Sequence, residues 1–241
     1  MAEITITQDE VHVWTLDLSE RAAETEEFYE SMLSEDEIDR AQKLRFDEDR
    51  RRFIMARGHL RVLLSKYLNK KPRQIWLRYG RYGKPYLTEE SNPEKINFNL
   101  SHSQNTVLYA VARDREVGID VEHIRPVSRA GKIVDRFFSE EEKEFYEEAS
   151  NDDKPFRFFK LWCAREAYTK AIGSGISLPK DEIDISFVTG EFLRDKSKSR
   201  GRAAVRIYGL AEEPGTVACL AVTGDEPGII YQDRLHGFVE P

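Results

Sequence analysis

The run Val117-Gly118-Ile119-Asp120-Val121-Glu122 constrains this chain more than any other stretch. β-Branched residues alternate with polar ones, as in a buried strand, and the glycine marks a point where something comes close to the backbone. Side chains alternate faces along a strand, so Asp120 and Glu122 point the same way. Two neighbouring carboxylates repel, and burial raises their pKa values unless a cation lies between them. A hard divalent ion such as Mg²⁺, which takes oxygen ligands, resolves that conflict. An isolated D-x-E is more often a strand whose polar face meets water. Its meaning depends on what else converges on it.

Composition narrows the classes. With 241 residues the chain suits one large domain or two small ones. Charged residues at 34% and hydrophobic ones at 40% fit a soluble globular protein. No apolar run reaches membrane-spanning length, and Met1-Ala2-Glu3-Ile4-Thr5 lacks the regions of a signal peptide. Cys163 and Cys219 are too few for a disulfide framework or a zinc site, so a reducing, cytoplasmic setting is expected. A net charge of -7 argues against nucleic-acid binding.

Val11 to Leu16 alternates like a first strand, and Ser34-Glu35-Asp36-Glu37 is a capping box predicting a helical region through Arg45. A second helix carries Phe53, Ala56, Leu60, Leu63, Leu64 and Tyr67 at helical spacing and is over by Pro72. Its other side bears Arg50, Arg51, Arg52, Arg57 and Arg61, either a solvated face or an anion-binding one. Tyr82-Gly83-Lys84-Pro85-Tyr86 is a turn holding Lys84 at its tip. Asn97 to Ser103 leads into an apolar strand, Val107 to Val111. Adjacent residues seldom form a nucleophile–base pair, and no G-x-S-x-G elbow exists, so Ser101 and His102 are better read as donors to an anion than as a hydrolase dyad.

Arg113-Asp114-Arg115-Glu116 is the expected boundary between halves 1–114 and 115–241. Ser139-Glu140-Glu141-Glu142 is a second capping box, and a proline at 155 sits near the start of a further helix. On that helix Trp162, Glu166 and Lys170 follow at i, i+4, i+8, a stripe turning from aromatic to ionic before Gly173-Ser174-Gly175. A surface Glu–Lys pair and a glycine C-cap would produce the same pattern. Ile183 to Val188, Ala203 to Tyr208 and Val217 to Val222 read as antiparallel strands, with Asp195 to Gly201 as a hairpin tip. The halves loosely repeat one order, a long charged helix followed by strands, without a legible residue-level repeat.

Four of these stretches occur in order and spacing: Tyr82-Gly83-Lys84-Pro85, then Asn97 to Ser103, then Val117 to Glu122, then Trp162 to Gly175. Together with the arginine-rich helix they resemble the Sfp-type 4′-phosphopantetheinyl transferases over about Arg40 to Pro179. Arg165 stands where the family pattern has lysine, and its planar fork is not a lysine's point charge. The resemblance implies an α+β fold, a monomeric pseudo-twofold pair of subdomains, each a small antiparallel sheet with a long helix. It implies transfer of 4′-phosphopantetheine from coenzyme A, the co-substrate, to a serine of an apo acyl or peptidyl carrier protein, with release of 3′,5′-ADP. Asp120, Glu122 and Glu166 would then hold Mg²⁺, or Mn²⁺ in its place. Glu166 would take the serine proton, and Lys170 would steady the phosphoryl charge. Arg40, Arg52, Lys84, Pro85, Ser101, His102, Asp120 and Lys170 would contact the coenzyme, with Arg52 and His102 on its 3′-phosphate. Two rivals remain: a metal-dependent nucleotide phosphohydrolase using the same carboxylates on water, and a non-catalytic carrier-protein binder, which would have no use for the four ionic groups Asp120, Glu122, Glu166 and Lys170 in one cleft.

Overall fold

A computed structural model describes residues 4–20, 24–175, 204–210 and 214–231. Strand β1 (Glu10–Asp17) buries both of its faces, and the alternation separates two cores. Trp14 and Leu16 join a cluster built on helices α1 (Glu24–Glu30), α2 (Glu35–Gln42) and α3 (Asp47–Leu68). Val11 and Val13 join a second cluster, which lies between two sheets. One sheet has the order β4 (Ile96–Ser103), β5 (Thr106–Arg113), β1, β9 (Gly228–Tyr231). The other has the order β6 (Val117–His123), β8 (Thr216–Thr223), β7 (Val205–Gly209). Val117, Ile119 and Val121 of β6 face the first sheet, whereas Val217, Cys219 and Ala221 of β8 pack against helix α6 (Lys154–Ile172). The layers therefore run helix, sheet, sheet, helix, a mixed α+β architecture. Helices α4 (Ala130–Phe137) and α5 (Glu140–Glu147) flank α6, and a short ribbon, β2 (Leu77–Tyr79) with β3 (Pro85–Leu87), stands apart.

The order of elements recurs. Among the described residues, each half runs strand, short helix, capped helix, long helix and a strand pair whose last member returns antiparallel to the first, with the β2–β3 ribbon interposed in the first half. The capped helices share one pairing, a capping-box glutamate tied to an arginine of the long helix. Glu37 Oε2 accepts from the Ser34 amide at 3.1 Å and from Arg61 Nε at 2.6 Å. Glu142 Oε2 accepts from the Ser139 amide at 2.9 Å and from Arg165 Nη2 at 2.7 Å. Both glutamates are fully buried. Burying a carboxylate is costly unless it is paired and hydrogen-bonded, so each capping box is locked to the long helix of its own half.

The sequence expectations need three adjustments. The first capped helix stops at Gln42, and Phe46, extended, begins α3 with Asp47, Glu48 and Asp49 in its first turn. The arginine face is split: Arg57 and Arg61 are buried, while Arg50 and Arg52 pair with Asp47 and Glu48 outside. Arg61 also donates to Ser34 and to the Pro72 and Ile75 carbonyls, so it is a structural group. Finally, β9 returns the end of the described chain to the first sheet, pairing parallel with β1 across the boundary expected at 114. The strand at Ile183–Val188 and the hairpin tip at Asp195–Gly201 lie outside the described residues.

Candidate active site

Gly118 shows why β6 and α6 can carry one site. A Cβ built on Gly118 would stand 2.1 Å from the Ala167 carbonyl oxygen and 2.3 Å from the Ala171 amide nitrogen. Only glycine permits this approach. It brings the Asp120/Glu122 face of β6 against the helix that bears Glu166 and Lys170. Lys170 Nζ donates to Asp120 Oδ1 at 2.6 Å, to Ser101 Oγ at 3.0 Å and to the Ile119 carbonyl at 3.2 Å. Ser101 Oγ in turn donates to Asp120 Oδ1 at 2.9 Å. The other oxygen, Asp120 Oδ2, is buried with no hydrogen-bond partner.

Strand β4 supplies the third side. Asn99, Ser101 and Ser103 alternate onto one face and reach β6 without a backbone ladder. Asn99 Oδ1 accepts from the Ile119 amide at 2.9 Å, and Ser103 Oγ accepts from the His123 amide at 3.1 Å and donates to Glu122 Oε2 at 3.2 Å. Glu122 Oε2 also accepts from Arg125 at 3.0 Å. His102 points to the opposite face of β4, so strand alternation itself excludes a Ser101–His102 dyad.

Burial pushes the Glu166 carboxyl up to about 7; Asp120 and Glu122 add to the rise, and Lys170 opposes it. Three carboxylates within each other's field are the arrangement that a divalent cation relieves. Among the described residues, no three His, Cys, Asp or Glu side chains are arranged, as placed, to hold a metal ion. The reason is visible: Lys170 and Ser101 draw Asp120 inward, and Arg125 and Ser103 draw Glu122 aside.

A cavity of ≈ 560 Å³ opens beside this cluster, within the size range of cofactor sites. Of the residues read from sequence, Arg40, Lys84, Pro85, His102, Glu166 and Lys170 line it, whereas Arg52, Ser101, Asp120 and Glu122 do not. A larger cleft of ≈ 880 Å³ shares Lys84 and Pro85 but lies on the β2–β3 side and reaches none of the carboxylates. Lys84 donates to Glu116 at 3.3 Å and to the carbonyls of Val117 at 3.1 Å and Ala171 at 3.3 Å. It clamps the turn to the start of β6 and the end of α6, and burial lowers its pKa. Arg52 donates to Glu48 at 2.6 Å, and its Nε is buried without a hydrogen-bond partner. The His102 imidazole is held below its ordinary value, first by burial and then by the Lys170 and Arg52 cations. The sequence reading passed over Asn99, which fixes β6; its place in the N-x-S-x-S alternation was the available signal.

The model of the 4′-phosphopantetheinyl transferase superfamily matches residues 116–212, and that of the 4′-phosphopantetheinyl transferase N-terminal region matches 22–114. A 4′-phosphopantetheinyl transferase of Nostoc sp., HetI, is 37% identical over 221 residues, 92% of this chain and 91% of that one. The chain belongs to this family. The Sfp transferase of Bacillus subtilis is 28% identical over 67% of this transferase and 70% of its own length. A putative 4′-phosphopantetheinyl transferase of Synechocystis sp. is 34% identical over 62% and 60% of the two chains. None of the transferase's described helices is long and apolar enough to cross a membrane.

Proposed function

We propose that this transferase moves 4′-phosphopantetheine from coenzyme A to the serine hydroxyl of an apo acyl or peptidyl carrier protein, releasing 3′,5′-ADP. The observation that carries this reading is the cavity wall on α6, where Glu166 and the Asp120-bound Lys170 line the same cavity as Arg40 of α2 and the His102 imidazole of β4. An anionic nucleotide fits that polarity, and the ionic end supplies a base and a cation for phosphoryl transfer. Glu166 is the carboxylate on the cavity wall beside Lys170 and is proposed to accept the serine proton; without metal, burial and the Asp120 and Glu122 charges raise its carboxyl to about 7. The serine oxygen then bonds to the phosphorus bearing the pantetheine arm as the bond from that phosphorus to the 3′,5′-ADP oxygen breaks. Lys170 stabilises the charge gathering on the phosphate oxygens.

Mg²⁺, or Mn²⁺, fits the donor set: Asp120 Oδ2 is buried and unpartnered, and Asp120 and Glu122 both raise Glu166. Asp120, Glu122 and Glu166 would hold the ion, which when bound neutralises pyrophosphate oxygens. Arg40, Arg52, Lys84, Pro85, Ser101 and His102 remain the proposed coenzyme contacts; Lys84 and Ser101 act chiefly by fixing the walls.

We place the working division at 1–114 and 115–241, as a pseudo-twofold pair within a monomer, the repeated element order being its support. Sedimentation at 28.0 kDa with full activity tests the monomer. The deciding experiment is intact-mass measurement after incubation with coenzyme A, Mg²⁺ and a panel of apo carrier proteins. Mass gain on a carrier serine, matched by 3′,5′-ADP, is expected. Loss of coenzyme A without any carrier would favour the phosphohydrolase instead.

A further inference from the structure

From position 66 to 84 the sequence holds Lys66, Lys70, Lys71, Arg73, Arg78, Arg81 and Lys84 and no acid, although the whole chain carries a net charge of -7. Such a stretch makes a local field opposite in sign to that of the molecule, provided the fold leaves it outside. The fold does. The 3₁₀ turn Pro72–Gln74 and the β2–β3 ribbon leave Lys71, Arg73, Arg78 and Arg81 exposed, and among the described residues none of the four joins an ion pair.

Aromatic side chains share this surface. The large apolar side chains exposed among the described residues are Phe46, Trp76, Tyr82, Tyr86 and Tyr231; three of them fall between 76 and 86, and Trp76 is 71% exposed. Arg78 and Tyr86 are cross-strand neighbours on the exposed face of the ribbon. The Arg81 guanidinium carbon lies 5.5 Å from the Tyr82 ring centroid. Tryptophan, tyrosine and arginine gathered in one exposed patch are the residues that carry most of the energy at protein interfaces.

Arg78, Tyr82 and Tyr86 also wall the cleft of ≈ 880 Å³. Its acids are Glu89, Glu90 and Glu116, the last paired with Lys84 at 3.3 Å, so the free positive charge lies on the ribbon side. A concave cleft suits an extended chain better than it suits a membrane, which meets convex faces. Tyr82, Lys84, Pro85 and Gly173 line both this cleft and the active cavity, so whatever lies in one is held beside the other. We propose that the ribbon and its cleft take an acidic, extended segment of the acceptor protein, outside the domain that presents the serine. The identity of that polypeptide rests on the transferase reading; the acidic, extended character of the segment rests on the surface alone. Held there, the segment raises the effective concentration of its own carrier domain at the cavity.

The test uses one apo carrier domain with two appended tails of equal length, one rich in glutamate and leucine, the other in serine and glycine. Steady-state transfer is compared for wild type, the double variant Arg73→Glu/Arg78→Glu, Arg81→Gln and Trp76→Ala. For wild type, KM for the acidic-tailed carrier should be lower on the order of tenfold, with kcat and KM for coenzyme A the same for both tails. Charge reversal should erase that difference, while Trp76→Ala and Arg81→Gln should narrow it and cover the case in which the double variant fails to fold. Raising the salt concentration should shrink it too, because the cations are exposed. Equal KM for the two tails in wild type overturns the proposal, and so does a difference that survives charge reversal. Fluorescence anisotropy of the labelled acidic tail alone separates the two readings. A tail that binds wild type and not the double variant, while neither carrier is modified, overturns the transferase reading and leaves the surface standing. A tail that does not bind overturns the surface. Sedimentation of wild type with phosphatidylglycerol vesicles, lost on charge reversal and without tail binding, would assign the patch to a membrane instead.

Discussion

Replacing Glu166 with glutamine asks whether the carboxylate cluster strains the fold that holds it. Burial first, and then Asp120 and Glu122, raise the Glu166 carboxyl from 4.5 to about 7. The folded protein therefore binds this proton more tightly than the unfolded chain does. Stability from that proton is fully present below pH 4.5 and is lost as pH rises through about 7. At about 1.4 kcal/mol per pH unit, the interval sets a ceiling of about 3 kcal/mol. Solvent screening of the half-buried side chain, with relaxation toward Lys170, reduces the expected effect to about 1–2 kcal/mol. In metal-free buffer, urea unfolding should find Glu166→Gln equal to wild type near pH 4 and more stable by about that amount above pH 7.5, although inactive. Adding Mg²⁺ should stabilise wild type and not the variant, because a ligand that binds only the folded form stabilises it by mass action. Parallel stability curves across the pH range would refute the reasoning, since the raised carboxyl requires them to diverge.

Asp120→Ala should abolish transfer and Glu122→Ala should hurt less, because Glu122 is drawn toward Arg125; near-normal turnover by Asp120→Ala at saturating Mg²⁺ would remove Asp120 from the site. His102→Ala should weaken coenzyme A binding by roughly ten- to a hundredfold, and wild-type affinity should rise as pH falls, because the lowered imidazole gains a proton when a phosphate arrives. A calorimetric titration in two buffers of different ionisation heat reads that proton uptake, and its absence would place His102 off the phosphate. Gly118→Ala must push α6 from β6, since its Cβ meets backbone and not a flexible side chain, and should cost about 3 kcal/mol together with activity. A soluble, active Gly118→Ala variant of unchanged melting temperature would show that the close approach is not required.

Strand alternation made the Asp120/Glu122 face legible, and helical spacing made the Glu166–Lys170 stripe legible, because both are local and periodic. The glycine at 118 was readable as a close approach, though not which atoms approach it. What periodicity could not deliver was the sorting of the arginines on α3. Arg50, Arg52, Arg57 and Arg61 look alike in sequence, and only the position of Glu37, 24 residues before Arg61, buries two of them. Lys84 was readable as a fixed cation. That it is fixed by the Val117 and Ala171 carbonyls depends on contacts 33 and 87 residues away. The strand at Gly228–Tyr231 was missed although Pro227-Gly228 precedes a β-branched pair, because a four-residue run carries too little periodicity to count.

The repeated capping-box pair bears on how Arg165 can replace a lysine without loss of structure. In the first half, Arg61 reaches the glutamate of the box through Nε and spends its remaining nitrogens on carbonyls and Ser34. In the second half, Arg165 forks onto Glu142 through Nε and Nη2 and lies 5.3 Å from the Phe138 ring centroid. Both arginines are buried, both follow their glutamate by nearly the same interval, and both anchor the helix that lines the cavity. Glu166, the next residue, is carried by the helix turn onto the face toward Asp120. Arg165 therefore acts on the reaction through the set of α6, and its truncation should lower stability by the several kcal/mol typical of an orphaned buried charge. Arg165 holds that helix by two charge-assisted bonds to the single oxygen Glu142 Oε2, so Arg165→Lys, which keeps the charge without the planar fork, should recover only part of that stability.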